Sequence, residues 1–449
     1  MSYNIVTINV SQTIGATPSN LQQMSAILSF GGTSQPAGTP ILLTRAAELD
    51  QLVTNAIDTL EAEENSFGST FTLTLPDGEA INRSPGAQVQ ITITGCLPMA
   101  WNGTYQATVV DSGTLTYDVA GSSLVSAPST VGQFTVGDSA DLITAVDTFF
   151  AQGSSVGTYV LELGYQGDAS APDGMALAQQ ITALQNYVDD PEKQFYAYLV
   201  PAAWAGNENF ITMTKLYTAN SAKVYFFVLE PTPETTNYIT PYAGIKSVIA
   251  VADDSYPATN AAAAMMWNLV SASPSPISKV APMAFRYLQA VSANSAKQSI
   301  LTTMVSQNIN YVDTGAEGGM SNTILVNGVS SDGNDLTYWY SVDWVQINMD
   351  MALANEIING SNNPINPLYF DQDGIDRLQQ RAQSIFNTGV SYGLVNGNPA
   401  VSAISFRDYN ALNPNDYGTG RYAGLSATYT PMRGFVEIIF NINVTLQLS

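Results

Sequence analysis

At 449 residues the chain exceeds one ordinary core, so two or three domains are expected. Charged residues make up only 11%, against a usual ~25%, and the net charge is −23; the 14 basic residues form no run, which excludes a phosphate-neutralising nucleic-acid binder. There is no histidine, which excludes Ser-His-Asp and Cys-His catalysis and imidazole metal sites.

Hydrophobic residues reach 45%, enough for well-packed cores. With so few charges, much of the surface must be Asn, Ser, Thr, Gln and Gly, or be covered by other subunits. Cys96 is the only cysteine, so no intramolecular disulfide forms and assembly in a reducing cytoplasm is expected. The N-terminus shows no basic segment before an apolar one, so no signal peptide is expected. No apolar run approaches the ~18 residues of a membrane span.

In chain order, Val6, Ile8, Val10 and Ile14 alternate with Thr7, Asn9, Ser11 and Thr13, which predicts a strand-like N-terminal arm over 1–16. Met24–Phe30 reads as a buried strand ending at Gly31-Gly32. Thr44–Leu60 reads as a helix, with Thr44 as cap and Leu49, Leu52, Val53, Ile57 and Leu60 as its apolar stripe. From Phe67 to Val136 short alternating segments are punctuated by turns such as Pro76-Asp77-Gly78 and Asn102-Gly103. No helical period appears there, so 67–137 is predicted as an inserted all-β module.

Helix and strand then alternate again. A helix from Ser139, a strand at Tyr159–Leu163 and a helix at Gly174–Val188 come first. Strands at Phe195–Val200, Lys223–Leu229 and Ser247–Ala252 follow, with helices around Asn207–Thr218 and Ala258–Val270. That order implies a largely parallel sheet covered by helices, over 17–66 and 138–330. A C-terminal α/β domain is expected over 331–434. The core region ends with a helix at Ser295–Asn308 and a strand at Thr323–Val326, and the C-terminal domain carries a strand at Leu336–Tyr340 and helices at Val345–Ile358 and Asp371–Asn387. The predicted fold class is α/β, or α+β overall: a mixed-sheet core, the inserted β module and extended terminal arms.

The C-terminal arm, 435–449, is the strongest pattern in the chain. Val436, Ile438, Phe440, Ile442, Val444, Leu446 and Leu448 occupy every second position, opposite mostly polar residues. A strand that long exceeds the usual 5–6 residues. Its own burial does not offset the entropy of ordering it, so it needs the main-chain hydrogen bonds of a partner sheet. An edge strand within its own domain is the alternative.

Chemistry is sparsely indicated. Asp371-Gln372-Asp373-Gly374-Ile375-Asp376 departs from a calcium loop in its glycine position and has Ala382 where a bidentate Glu belongs, so a helix start is expected. Gly418–Gly424 lacks the Gly-Lys-Ser/Thr ending of a phosphate loop and reads as a turn. Tyr338-Trp339-Tyr340 with Trp344 reads as core or interface rather than a sugar platform, and Cys96 as a packed thiol. Arg377 and Arg381 lie four apart on one helix face in an acidic chain, and mark a candidate site for an acidic partner. Pairing with Asp373 and Asp376 is the competing explanation.

The two arms, the early β module and the α/β domain together resemble contractile tail sheath proteins of bacteriophages. Val342-Asp343-Trp344, Asn363-Pro364-Ile365 and Phe370–Ile375 leading into a helix are similar to the C-terminal part of one sheath branch. Ile91–Gly95, Trp101–Tyr105 and Thr114–Tyr117 look like β modules found in phage structural proteins. The resemblance implies a non-enzymatic subunit without cofactor or metal, polymerising by strand exchange around an inner tail tube and contracting to drive it through the host envelope. It implies further copies of the chain, the tube protein, and baseplate and tail terminator proteins as partners. It also implies no nucleic acid, no membrane insertion, and location in the virion tail after assembly in the host cytoplasm. The arm residues Val6, Ile8, Val10, Val436, Ile438, Phe440, Ile442, Val444 and Leu446 would then be intersubunit, with Arg377 and Arg381 facing the tube. Another self-assembling phage or surface-lattice protein (a tube, capsid or lattice subunit) is the second reading, and a glycan-cleaving tail enzyme using paired carboxylates the third.

Overall fold

The computed structural model describes residues 20–81, 83, 85–121, 127–137, 139–164, 177–315 and 322–435. The N-terminal arm, and the C-terminal arm after Phe435, lie outside these residues. Two compact units are present. The first comprises Leu21–Ser273, Ala281–Trp339 and Arg433–Phe435, and the second Asn20, Pro274–Val280 and Tyr340–Met432.

The first unit opens with β1 (Ser25–Ser29) and β2 (Pro40–Leu43), then a single helical turn, α1 (Asp50–Val53). Seven strands follow: β3 (Thr54–Ala56), β4 (Thr59–Asn65), β5 (Gly68–Thr74), β6 (Gln88–Thr94), β7 (Gly103–Asp111), β8 (Thr114–Ala120) and β9 (Gln133–Val136). They form one antiparallel sheet in the order β3-β9-β6-β7-β8-β5-β4. Its inner face buries Phe71, Ile91, Trp101, Leu115, Tyr117 and Phe134, with Phe71 stacked on Tyr117 at 4.9 Å and edge-on to Trp101 at 5.2 Å. Cys96 is buried in this core, and burial pushes its thiol up, as a packed and unreactive cysteine requires.

This sheet recruits two strands ahead of residue 67, and the predicted helix Thr44–Leu60 is corrected accordingly. Leu49, Leu52, Val53, Ile57 and Leu60 are all buried, so the apolar spacing is a true burial signal. A turn and two strands satisfy it, because Leu60 enters the β core through cross-strand pairing with Leu73. Thr44 does not cap a helix; its N–H and hydroxyl donate to the Glu48 carboxylate at 2.7 and 2.9 Å.

Beyond the module come α2 (Ser139–Ala151), β10 (Thr158–Glu162), α3 (Leu177–Asp189), β11 (Ala197–Leu199), α4 (Glu208–Lys215), β12 (Tyr225–Glu230), β13 (Val248–Ala252), α5 (Ala261–Val270), α6 (Gln298–Ser306), β14 (Asn310–Thr314) and β15 (Thr323–Val326). With β1 and β2 these strands make an eight-stranded sheet ordered β15-β14-β13-β12-β11-β1-β10-β2. The six inner strands are parallel, and β2 and β15 are antiparallel edges. β12 and β13 are buried at every position, as expected for strands covered on both faces. The chain steps from β1 to β10 on one side and then to β11 on the other, so a topological switch point lies at the carboxyl end of β1. Outside β15 the segment Phe285–Leu288 pairs along the edge: Phe285 N–H donates to Leu325 O at 2.8 Å and Leu288 N–H to Thr323 O at 3.0 Å.

The remaining elements are α7 (Leu336–Asn362), α8 (Gln372–Ser391), β16 (Val395–Asn396), β17 (Val401–Ala403), α9 (Phe406–Leu412), α10 (Asp416–Thr419), β18 (Leu425–Ala427) and β19 (Thr430–Pro431). The predicted strand Leu336–Tyr340 is corrected to the first turn of α7. Asp335 Oδ1 accepts the Thr337 N–H at 2.8 Å, a capping contact that overrides the strand preference of Tyr and Trp. Trp339, Tyr340 and Trp344 are buried, as core residues rather than an exposed platform. Asp371 caps α8 through Gly374 N–H at 2.8 Å, so the acidic loop is a helix start. No group of three or more acidic or thiol side chains is placed to hold a metal among the described residues.

Candidate strand-acceptor site

In a doubly wound sheet, ligands bind beyond the carboxyl ends of the strands at the switch point. Here the main-chain donors of that region are used internally. Glu162, at the end of β10, is 1% exposed. Its Oε1 accepts Gly31 N–H at 2.6 Å and Gly164 N–H at 2.9 Å. Its Oε2 accepts the Ser29 and Thr33 hydroxyls at 2.7 and 2.8 Å and Thr33 N–H at 3.2 Å. Five donors converge on one carboxylate, so these groups are satisfied within the fold.

The second unit carries a different kind of site, built from two short ribbons. In the β16–β19 ribbon, Val395 opposes Pro431, and Met432 N–H donates to Leu394 O at 3.0 Å. Pairing alternates along antiparallel strands, so Pro431 lies at an outward-pointing position and offers no donor to a further strand. That edge is blunted.

In the β17–β18 ribbon, Val401 opposes Ala427 and Ala403 opposes Leu425. Ile404 N–H donates to Gly424 O at 3.1 Å, so Ser402 and Ser426 face inward and their neighbours turn their main-chain groups outward. On the β17 side α8 covers the edge: Val401 N–H donates to Gln383 Oε1 at 2.9 Å, and Gln379 Nε2 donates to Val401 O at 2.7 Å. On the β18 side the N–H and C=O of Leu425 and Ala427 find no partner among the described residues, and Ser426 and Ala427 are exposed. β18 is therefore an open strand edge with its groups in pairing geometry.

Its backing is aromatic. Tyr409 and Tyr422 meet at 4.7 Å with their rings tilted by 60°, and Phe370 meets Phe406 at 5.7 Å and Tyr422 at 6.0 Å. Tyr422 donates to Ile404 O at 2.6 Å, and Ala423 N–H donates to the Tyr409 hydroxyl at 2.9 Å. Gly424 has no room for a side chain, since a Cβ there would lie 2.5 Å from the Tyr422 hydroxyl. The same unit exposes large apolar residues, with Ile277 at 97% and Ile365 at 93%.

The arm residues Val6, Ile8, Val10, Val436, Ile438, Phe440, Ile442, Val444 and Leu446 lie outside the described residues. Arg377 and Arg381 are both on α8. Arg377 is engaged: Nη2 lies 2.6 Å from Glu356 Oε1, and Nη1 donates to Pro367 O at 3.1 Å. Its carboxylate partner comes from α7 and is neither Asp373 nor Asp376. The open β18 edge and the Glu162 contacts were not flagged by the sequence; the only hint at β18 was the glycine-rich run ending at Gly424.

No protein-family model and no curated protein matches this chain. Solved structures are similar to it along nearly the whole chain at low identity. One is a sheath tail protein from Listeria innocua, 8% identical, covering 92% of this chain and 95% of that one, with a TM-score of 0.45. Another comes from the baseplate of the anti-feeding prophage in its contracted state, 10% identical, covering 99% and 98%, with a TM-score of 0.49.

Proposed function

We propose that this chain is a self-assembling structural subunit of a contractile phage tail sheath. In this reading β18 receives a terminal arm from a neighbouring copy. The carrying observation is the open edge at Leu425–Ala427 in a chain whose termini are written as alternating strands with seven apolar positions after Phe435. Strand addition satisfies both partners: the arm gains the hydrogen bonds that order it, and β18 loses an exposed edge. The exposed apolar residues of the second unit and the low surface charge fit a subunit covered on several sides by its own kind. The role is structural rather than catalytic. The tube is contacted from α8, and baseplate and terminator proteins close the polymer at its ends.

Negative-stain microscopy of the purified protein tests this reading. Hollow, striated cylinders support it. Flat lattices or thin unstriated tubes would favour a different assembly, and dispersed particles would remove the assembly role altogether.

A further inference from the structure

A cavity of about 280 Å³ opens beyond the carboxyl ends of β1 and β11, in the crevice of the parallel sheet. α2 and α5 flank one face of the sheet there and α3 packs on the other, so the cavity lies where the winding direction reverses. Phe30, Leu142 and Leu199 give it apolar walls, and Asp141, Tyr256 and Asn260 bring polar groups to them. Pockets for drug-sized ligands start at about 300 Å³, so this one suits a single compact ring.

Hydrogen bonding narrows what can fill it. The main-chain donors beyond β1 are spent on Glu162. At the start of α5, Ala261 N–H donates to Asp253 Oδ2 at 2.9 Å and Ala263 N–H to Asn260 Oδ1 at 3.0 Å. Asp141 adds a negative charge at the wall and accepts the Tyr256 hydroxyl. An anion is therefore repelled rather than cradled. Asn260 is only 5% exposed, and its main-chain N–H donates to Thr148 Oγ1 at 3.2 Å. With Oδ1 spent on Ala263, its Nδ2 has no partner among the described residues, which leaves one amide donor for the cavity that Asn260 lines.

We propose that this cavity binds a small neutral polyhydroxyl ring, of monosaccharide size. Each hydroxyl both donates and accepts, so such a ring can take the Asn260 amide donor and give to the Asp141 carboxylate. Its C–H face would lie on Phe30, Leu142 and Leu199, the combination of apolar walls and a few converging polar groups that ligand sites use. The spent main-chain donors and the charge of Asp141 select against sugar phosphates and sugar acids. The site belongs to the parallel sheet alone and is independent of how copies of the chain assemble.

Ligand-observed saturation-transfer NMR on the full-length protein tests this, with glucose, galactose and mannose as neutral probes and glucuronate as the anionic one. Expected is transfer to at least one neutral hexose and none to glucuronate. Asn260→Asp keeps an oxygen to cap α5 but removes the amide donor. It should weaken binding of that hexose roughly tenfold, the worth of one hydrogen bond from a buried group. Absence of transfer to all of the hexoses would overturn the proposal, and so would glucuronate binding the wild type as well as a hexose does. Both readings come from the wild type and hold whether or not the variant folds. A hexose signal unchanged in folded Asn260→Asp would show an adventitious surface contact and overturn it equally.

Discussion

Arg377 and Glu356 join α8 to α7 through a contact of 2.6 Å, and the same guanidinium holds the connecting loop by the carbonyls of Asn366 and Pro367 at 3.3 and 3.1 Å. Both side chains are about one-quarter exposed. A residue so engaged is part of the unit's own framework. Arg377→Ala is expected to lower stability by about 1–2 kcal/mol, since charge-assisted bonds to partly buried groups are worth about that much. Urea unfolding of the variant checks it. Arg381→Glu is the cleaner probe of an acidic partner: it should leave stability unchanged and weaken tube co-assembly, most at low salt, where the charges are least screened. Unaltered tube decoration at physiological salt would show that this helix face does not meet the tube.

Glu162 gives the largest expected stability effect. Removing its carboxylate leaves the buried N–H groups of Gly31, Thr33 and Gly164 without an acceptor. Each orphaned group costs roughly 1–3 kcal/mol, so Glu162→Ala should cost at least about 3 kcal/mol. Glu162→Gln should also destabilise the chain, because an amide NH₂ would face N–H donors. Equal denaturation midpoints for wild type and Glu162→Gln would contradict the five-donor arrangement.

Glu230 predicts a pH dependence. Burial raises its pKa to about 6, while the hydrogen bond from Tyr238 lowers it, and Oε2 is buried without a partner. Between about pH 4.5 and 6 the folded chain retains a proton that the unfolded chain has released. This contribution to stability is therefore fully present below about 4.5, falls as pH rises, and levels off above 6, by roughly 2 kcal/mol in all. Glu230→Gln should flatten that decline. Unfolding measured at several pH values in wild type and variant would show it, and parallel pH profiles would rule it out.

The β module offers a deletion. Thr54 is paired with Thr135, so the chain enters and leaves the seven-stranded sheet side by side. A short Gly/Ser bridge from Val53 to Val136 should preserve the parallel sheet, at the cost of the Arg83 hydrogen bond to Gly31 O at 2.8 Å. Circular dichroism with retained helix signal and cylinders of smaller outer diameter is the expected outcome. Loss of cylinders from a folded variant would place lateral contacts in the module.

Elements whose local pattern matched their environment were legible in the sequence. Tyr225–Glu230 and Val248–Ala252 are continuous apolar runs because both sheet faces are covered, and Asp371 announced α8 through its cap. The misread elements are those in which distant partners outvoted local preference. β4 carries Glu61, Glu63 and Glu64, good helix formers, yet its register with β5 makes it an edge strand whose charges discourage further pairing. Leu336–Tyr340 shows strand composition, but Asp335 starts a helix there; an Asp immediately before an apolar run was the available signal. The open edge at β18 could not be read from composition, because it depends on which positions of a three-residue strand turn outward and on Gln379 and Gln383 covering the other side.

Ala427→Pro separates folding from assembly. Its N–H points away from β17, so proline removes a donor from the outer edge while leaving the bond between Ile404 and Gly424 in place. The variant should unfold at nearly the wild-type midpoint and sediment as a subunit rather than as a polymer. Polymer formation undiminished by the substitution would argue against β18 as the acceptor.

The central claim is that a terminal arm of one copy completes the β17–β18 ribbon of another. Cryo-electron microscopy of the assembled polymer, at a resolution that traces the main chain, tests it most directly. An additional strand hydrogen-bonded to Leu425 and Ala427, continuous with the terminal arm of a neighbouring subunit, is expected. An unpaired β18 edge within an intact polymer, or both arms paired inside their own subunits, would contradict it.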